Sequence, residues 1–186
     1  MGRAWEDGII ESGWKASRRW RMRVEAKLEE LGLVLPAPMK VPEGLRLPFA
    51  RVRIRGKHAY VAGHHALNPD GSLAPPFGKV GAEVTPEQAY HSARLAALAM
   101  LADLKRELGD LDRVSAWLRV FGMVNSAAGF DRQPNVIDGF SDLILEVYGP
   151  EVVRHARSAV GMEGLLMGSP VEVEAEVEID RGESFA

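Results

Sequence analysis

The stretch "VEVEAEVEID", Val171 to Asp180, alternates without a break. Val171, Val173, Ala175, Val177 and Ile179 take one phase, and Glu172, Glu174, Glu176 and Glu178 take the other. Successive side chains of a strand point to opposite faces, so this is a β-strand with one apolar and one acidic face. Neighbouring glutamates stand roughly 6.6 Å apart on that face, far enough for water to solvate each of them. A polar outer face that discourages aggregation accounts for most of them. What covers the apolar phase decides the fold, and the answer lies upstream.

"TPEQAYHSARLAALAMLADLKRELGDLD", from Thr85, reads as a long helix. Thr85 caps it, Pro86 suits its first position, and Gln88 completes a capping box. Ala89, Ala93, Ala96, Ala97, Met100, Leu101, Leu104 and Leu108 form its apolar stripe, and Gly109 ends it. So many alanines allow close approach to a sheet. "QPNVIDGFSDLILEVYG" gives a second helix with Val136, Phe140, Leu143, Ile144 and Val147 inward and Gly149 at its end.

Between these helices "VSAWLRVFGMVN" reads as a strand, and another is expected around Ala156 to Val160. Upstream, "FARVRIRGKHAYVAGHH" is a hairpin. Val52 and Ile54 alternate with Arg51, Arg53 and Arg55, Gly56-Lys57 turns, and His58 to Ala62 returns. "NPDGS" is a further turn. The order is ββαβαββ, and right-handed crossovers place both helices on one face of a single sheet. The expected class is α+β. The glutamates of the last strand then face water or another subunit.

The remaining residues are divided by composition. Residues 1–21 carry three tryptophans, mixed charge and no periodicity, and read as a disordered tail or an over-extended start. Their basic end, Lys15 to Arg23, offers contacts to nucleic acid or membrane as the alternative reading. Residues 22–48 hold a short helix, "RVEAKLEELG", with Val24, Leu28 and Leu31 on one face, then a connector with Pro36, Pro38, Pro42 and Pro48. Residues 49–180 form the main domain and 181–186 a tail.

Among 186 residues, 46% are hydrophobic, which suffices for a sizeable core. A net charge of −3 gives no general affinity for nucleic acid or an anionic membrane. With no cysteine there is no disulfide, thiolate nucleophile or Cys-based metal site. No apolar run approaches the roughly 20 residues needed to cross a bilayer, and the N-terminus lacks a signal-peptide pattern. A soluble, cytoplasmic protein is expected.

Five histidines are scattered, and adjacent His64 and His65 point to opposite faces of a strand, so they cannot ligate one metal together. There is no HExxH pair and no GxSxG elbow, and "GKVG" lacks the rest of a phosphate loop. No metal and no cofactor are expected. "RHARSAVG" is the most suggestive stretch, because His155 and Arg157 lie in one phase and arginine offers a planar fork for carboxylate or phosphate. If the last two strands pair, Arg157 and an early glutamate of "VEVE" share a site. The alternative is an ordinary cross-strand salt bridge.

From about Phe49 to Ile179 the chain resembles the YjgF/YER057c/UK114 family, also called the RidA family. The resemblance rests on "AGHH…NPDGSL", "GDLDRV", "ARSAV" and "VEVEAEVEI", in that order and spacing. "GMVNSAAGF" and "QPNVIDGFSDLILEVYG" mark a divergent branch. The resemblance implies a chorismate-mutase-like α+β fold, assembled as a homotrimer with clefts between subunits. It implies that Arg157 binds a carboxylate, that Glu172 orients a water, and that the backbone of Gly63 lines the cleft. Ser158 keeps the serine common after the arginine.

Phe49 stands at the cleft mouth without a tyrosine's hydroxyl, and Ala159 replaces a common cysteine while keeping its carbonyl. Asn125 stands in for an asparagine missing near Ala128, and Leu165-Leu166 replaces Leu-Pro. The activity implied is hydrolysis of enamine- or imine-type intermediates, 2-imino acids derived from 2-aminoacrylate, to a 2-oxo acid and ammonia. It requires no cofactor, and its partners are a small carboxylate or imino acid and further copies of the chain. A non-catalytic carboxylate-binding member is the alternative. An endoribonuclease ranks third, since no basic stripe with interleaved aromatics runs across the main domain.

Overall fold

The computed structural model describes residues 23–41, 43–44 and 46–180. The expectations for residues 1–21 and 181–186 lie outside the described residues. Helix α1 spans Arg23–Glu30, and it is followed by the hairpin strands β1 (Val52–Arg55) and β2 (His58–His64). Helix α2 (Pro86–Leu108), β3 (Val114–Asn125), α3 (Gln133–Tyr148), β4 (Ala156–Met162) and β5 (Val171–Ile179) complete the order. The result is the expected α+β arrangement, one five-stranded mixed sheet with helices on one face.

The predicted helix chemistry is present. Thr85 Oγ1 accepts from the Gln88 N–H at 3.2 Å while Gln88 Oε1 accepts from the Thr85 N–H at 2.9 Å. All the stripe residues of α2 are buried, as are Leu98, Ala99 and Ala102 beside them, so the helix is sunk deeper than a one-sided amphipathic helix. It packs on α3 at close range. A Cβ on Gly139 would lie 2.1 Å from the Tyr90 carbonyl oxygen, so only glycine permits this crossing. Tyr90 donates to Asp142 (2.8 Å), and Arg94 forks onto Glu146 (2.8 and 2.9 Å) along the same seam.

The sheet order is β1-β2-β5-β3-β4, which makes β5 central. Its apolar phase is buried beneath the helices. Each such valine contributes roughly 1.5–3 kcal/mol by leaving water. The glutamate phase lies on the face that no helix covers. Here the order corrects one expectation: the last two strands do not pair, because β3 lies between them, antiparallel to β5 and parallel to β4. A second correction concerns α1. Val24 and Leu28 are buried, but Leu31 lies beyond the helix end and is exposed. No described helix is long and apolar enough to cross a membrane.

Candidate functional site

The central strand sets the position of Glu172, which stands on the uncovered face opposite Met123 of β3. Beside it, β2 departs from regular pairing. Val61 faces Ala175, yet His64 faces Val173, so the register slips through Ala62 and Gly63. Bulges of this kind bend a strand and re-aim what it carries. Gly63 is the residue this one requires, because a Cβ there would sit 1.8 Å from Glu172 Oε1. The carboxylate therefore lies directly over a glycine. Among the described residues its one ionic neighbour is His65, with Nε2 3.8 Å away.

The bulge is pinned from below. Asp103 of α2 accepts from Arg51 Nε (3.0 Å), His64 Nε2 (2.8 Å) and Arg106. Arg51 Nη1 also donates to the Gly63 carbonyl at 3.0 Å. Burial alone would raise the Asp103 carboxyl, but its bonds from His64, Arg106 and Arg51 hold it well below the usual carboxylate range. Both ring nitrogens of His64 face acceptors, the second being the Ala62 carbonyl at 2.6 Å, which calls for a doubly protonated ring. Burial opposes this and pushes the imidazole down. His64 and His65 do point to opposite sides, one toward α2 and one toward Glu172.

Arg157 sits elsewhere. It pairs in register with buried Val120, so its side chain projects to the helix-covered face, where α3 meets it. Its Nη1 donates to Ser141 Oγ (2.9 Å), and its Nη2 contacts the Pro134 carbonyl (3.4 Å) and Asp138 Oδ1 (2.9 Å). His155 joins the same hydroxyl, with Nε2 3.0 Å from Ser141 Oγ, which meets the expectation that His155 and Arg157 point one way. Since His155 Nδ1–H donates to the Val153 carbonyl at 2.6 Å, Nε2 is the acceptor. Ser141 then donates to His155 and accepts from Arg157. Burial pushes His155 below its ordinary value of 6.5, the Val153 bond opposing and the Arg157 charge adding.

Arg157 and Glu172 thus lie on opposite faces of the sheet, two strands and three register positions apart. That is about 10 Å across and about 10 Å along before the sheet's own thickness is added. One chain does not bring them together, so the pairing of "RHARS" with "VEVE" in a single-chain site is overturned.

The other expected site residues scatter accordingly. Ser158 projects to the uncovered face beside Phe121, and Ala159 returns to the helix side on the same edge strand. Phe49 is 54% exposed and lines a shallow depression with Tyr60, Arg119, Glu174 and Glu176. Asn125 is buried, and its amide is occupied by the Gly78 carbonyl (3.2 Å) and Lys79 Nζ (3.4 Å).

Asp103, Ser141 and Asp138 were absent from the sequence reading. Each acts on a residue 16 to 52 positions away or across a crossing of elements, and leaves no local pattern. Glu25, Asp110 and Asp112 gather closely enough to hold a cation, and several of their oxygens already serve the protein. Glu25 Oε1 takes Lys105 and the Leu111 N–H, Asp110 takes the Asp112 N–H, and Asp112 takes the first N–H groups of α1, while Glu25 Oε2 is buried without a partner among the described residues. These contacts make the cluster a helix anchor.

Residues 51–169 match the family described as "YjgF/chorismate_mutase-like, putative endoribonuclease". This span includes Gly63, Asn125, Arg157, Ser158 and Ala159, and leaves Phe49 and Glu172 just outside. A protein of Trypanosoma cruzi named Protein TCP17 is 38% identical over 158 residues, covering 85% of this chain and 95% of its own. The crystal structure of Atu1372 from Agrobacterium tumefaciens, described as of unknown function, is 37% identical with a TM-score of 0.75, covering 84% and 92% of the two chains. A Shewanella oneidensis structure titled "a putative endoribonuclease" is 29% identical with a TM-score of 0.74, covering 84% and 99%.

Proposed function

The chain belongs to the YjgF/chorismate-mutase-like family, and from that premise we propose that it hydrolyses reactive 2-imino acids in clefts between copies of itself. The observation that carries this reading is Glu172. A half-buried carboxylate is held over a glycine that only a bulge supplies, with no strong cation against it among the described residues. Such a group is free to orient water and take its proton. The opposite-face placement of Arg157 supports a site completed by a second copy, and a closed threefold ring would give three equivalent clefts.

The chemistry asks little of the protein. Arg157 binds the substrate carboxylate and so fixes the iminium carbon. Glu172 of the neighbouring copy positions a water, which adds to that carbon as its proton passes to the carboxylate. The proton is returned to nitrogen, and the C–N bond breaks as the carbonyl forms and the hydroxyl proton passes, again through Glu172, to the departing ammonia. Iminium and water become a 2-oxo acid and ammonium. In this reading backbone groups around Gly63 and Ala159 hold the imine nitrogen.

The endoribonuclease named for relatives is less well supported here. Arg53 and Arg119 flank aromatics on the uncovered face, but Glu174 and Glu176 lie in the same depression and offset their charge toward phosphate. A binder of small carboxylates that performs no chemistry would keep Arg157 and need no Glu172.

The test generates 2-aminoacrylate in place with a serine dehydratase and follows imine loss. Acceleration by the wild type, abolished in both Arg157→Ala and Glu172→Gln, supports the reading. Binding of the 2-oxo acid without acceleration would replace the hydrolase with the binder.

A further inference from the structure

We propose that Asp138 is a built-in competitor for the ligand carboxylate at Arg157, an inference that rests on Arg157 being the carboxylate anchor. A guanidinium carries five N–H groups in a fixed fork. A carboxylate taken bidentately uses either Nη1 with Nη2 or Nε with Nη2, so every such edge includes Nη2. In this chain Nη2 reaches the Pro134 carbonyl at 3.4 Å and forms an ion pair with Asp138 Oδ1, 2.9 Å away. A carboxylate oxygen 2.9 Å from Nη2 already fills the place that a bidentate ligand needs, so the ligand must displace Asp138 from it.

The two ends of this arrangement differ in how firmly they are held. Ser141 fixes Nη1 and is itself fixed by His155, whose other nitrogen is tied to the Val153 carbonyl. Asp138 has no further salt-bridge partner among the described residues, and its side chain is 44% exposed against 21% for Arg157. It can turn to water while the arginine remains in place. Binding then exchanges one carboxylate for another. A ligand offering only a carboxylate gains little over Asp138, whereas one that also reaches the Glu172 half of a cleft gains more. The aspartate thereby holds ordinary small carboxylates off the site.

Titration of the full chain with 2-oxobutanoate tests this. Asp138→Asn and Asp138→Ala should each bind about fivefold tighter than the wild type, the size expected for a half-exposed ion pair. In an Arg157→Ala background the Asp138 substitution should change nothing, and Arg157→Ala alone should lose binding. Binding by the Asp138 variants that is equal to or weaker than wild type would overturn the proposal, as would a large fall in their Tm, because Asp138 would then be a prop for the arginine. Undiminished binding by Arg157→Ala would instead remove the anchor on which both readings stand.

Discussion

Arg157 and Glu172 are held on opposite terms. The arginine is crowded, with Ser141, Pro134 and Asp138 all within reach of its guanidinium and His155 behind Ser141. The glutamate is isolated, with a glycine beneath it and one histidine nitrogen at 3.8 Å. A group that must only hold a charge in place benefits from being fixed on several sides. A group that must accept a proton and return it loses that ability if a cation clamps it. The scaffold shows the same division, since a partly buried ionic cluster secures the bulge under Glu172 without touching the carboxylate itself.

Removing either half should have the largest effect. Arg157→Ala and Glu172→Gln are each expected to lower imine hydrolysis by about 100-fold or more while the fold persists, because both side chains are partly exposed. Equal loss of 2-oxo acid binding in both would break the comparison, since the arginine, which pairs with the carboxylate, should matter far more for binding than the glutamate.

Next in size is the anchor. Asp103→Ala leaves Arg51 and His64 facing an emptied, largely buried site, and should cost about 3 kcal/mol in urea unfolding. A loss below about 1 kcal/mol would show that the bulge does not depend on it.

Gly63→Ala sharpens the contrast further. Its backbone lies outside the left-handed region, so alanine fits the chain, but the new methyl displaces the Glu172 carboxylate. Activity should fall about tenfold or more with little change in Tm. A variant with wild-type activity would mean that the position of Glu172 over the glycine is not the working one.

Much of this was legible in the sequence, and the limit has a physical cause. The strict alternation of β5 and the capping box of α2 are local, set by periods of two and 3.6 and by one side chain's reach, and both are present as read. Strand order is not local. Nothing in "RHARSAVG" or "VEVEAEVEID" says that β3 will lie between them, yet that placement puts Arg157 and Glu172 on opposite faces. Asn125 shows the same limit, because a strand-end amide is as suited to tying down Gly78 and Lys79 as to meeting a ligand.

The smallest expected effect concerns pH. The His155 imidazole titrates below its ordinary value of 6.5, so the folded chain prefers it neutral. Its contribution is complete above pH 6.5 and is lost as pH falls through the lowered value, where the unfolded chain binds the proton more readily. The Tm should therefore fall less steeply between pH 7 and 5 in His155→Gln than in the wild type. An identical slope would remove His155 from the account.

The central claim is that each working cleft takes Arg157 from one copy and Glu172 from another, and complementation measures it most directly. Arg157→Ala and Glu172→Gln chains, each inactive alone, are unfolded together in equal amounts and refolded as mixed oligomers. Random assembly pairs an intact arginine with an intact glutamate in about a quarter of clefts, so about a quarter of wild-type imine hydrolysis should return. Mixed oligomers that form and stay inactive would contradict the account.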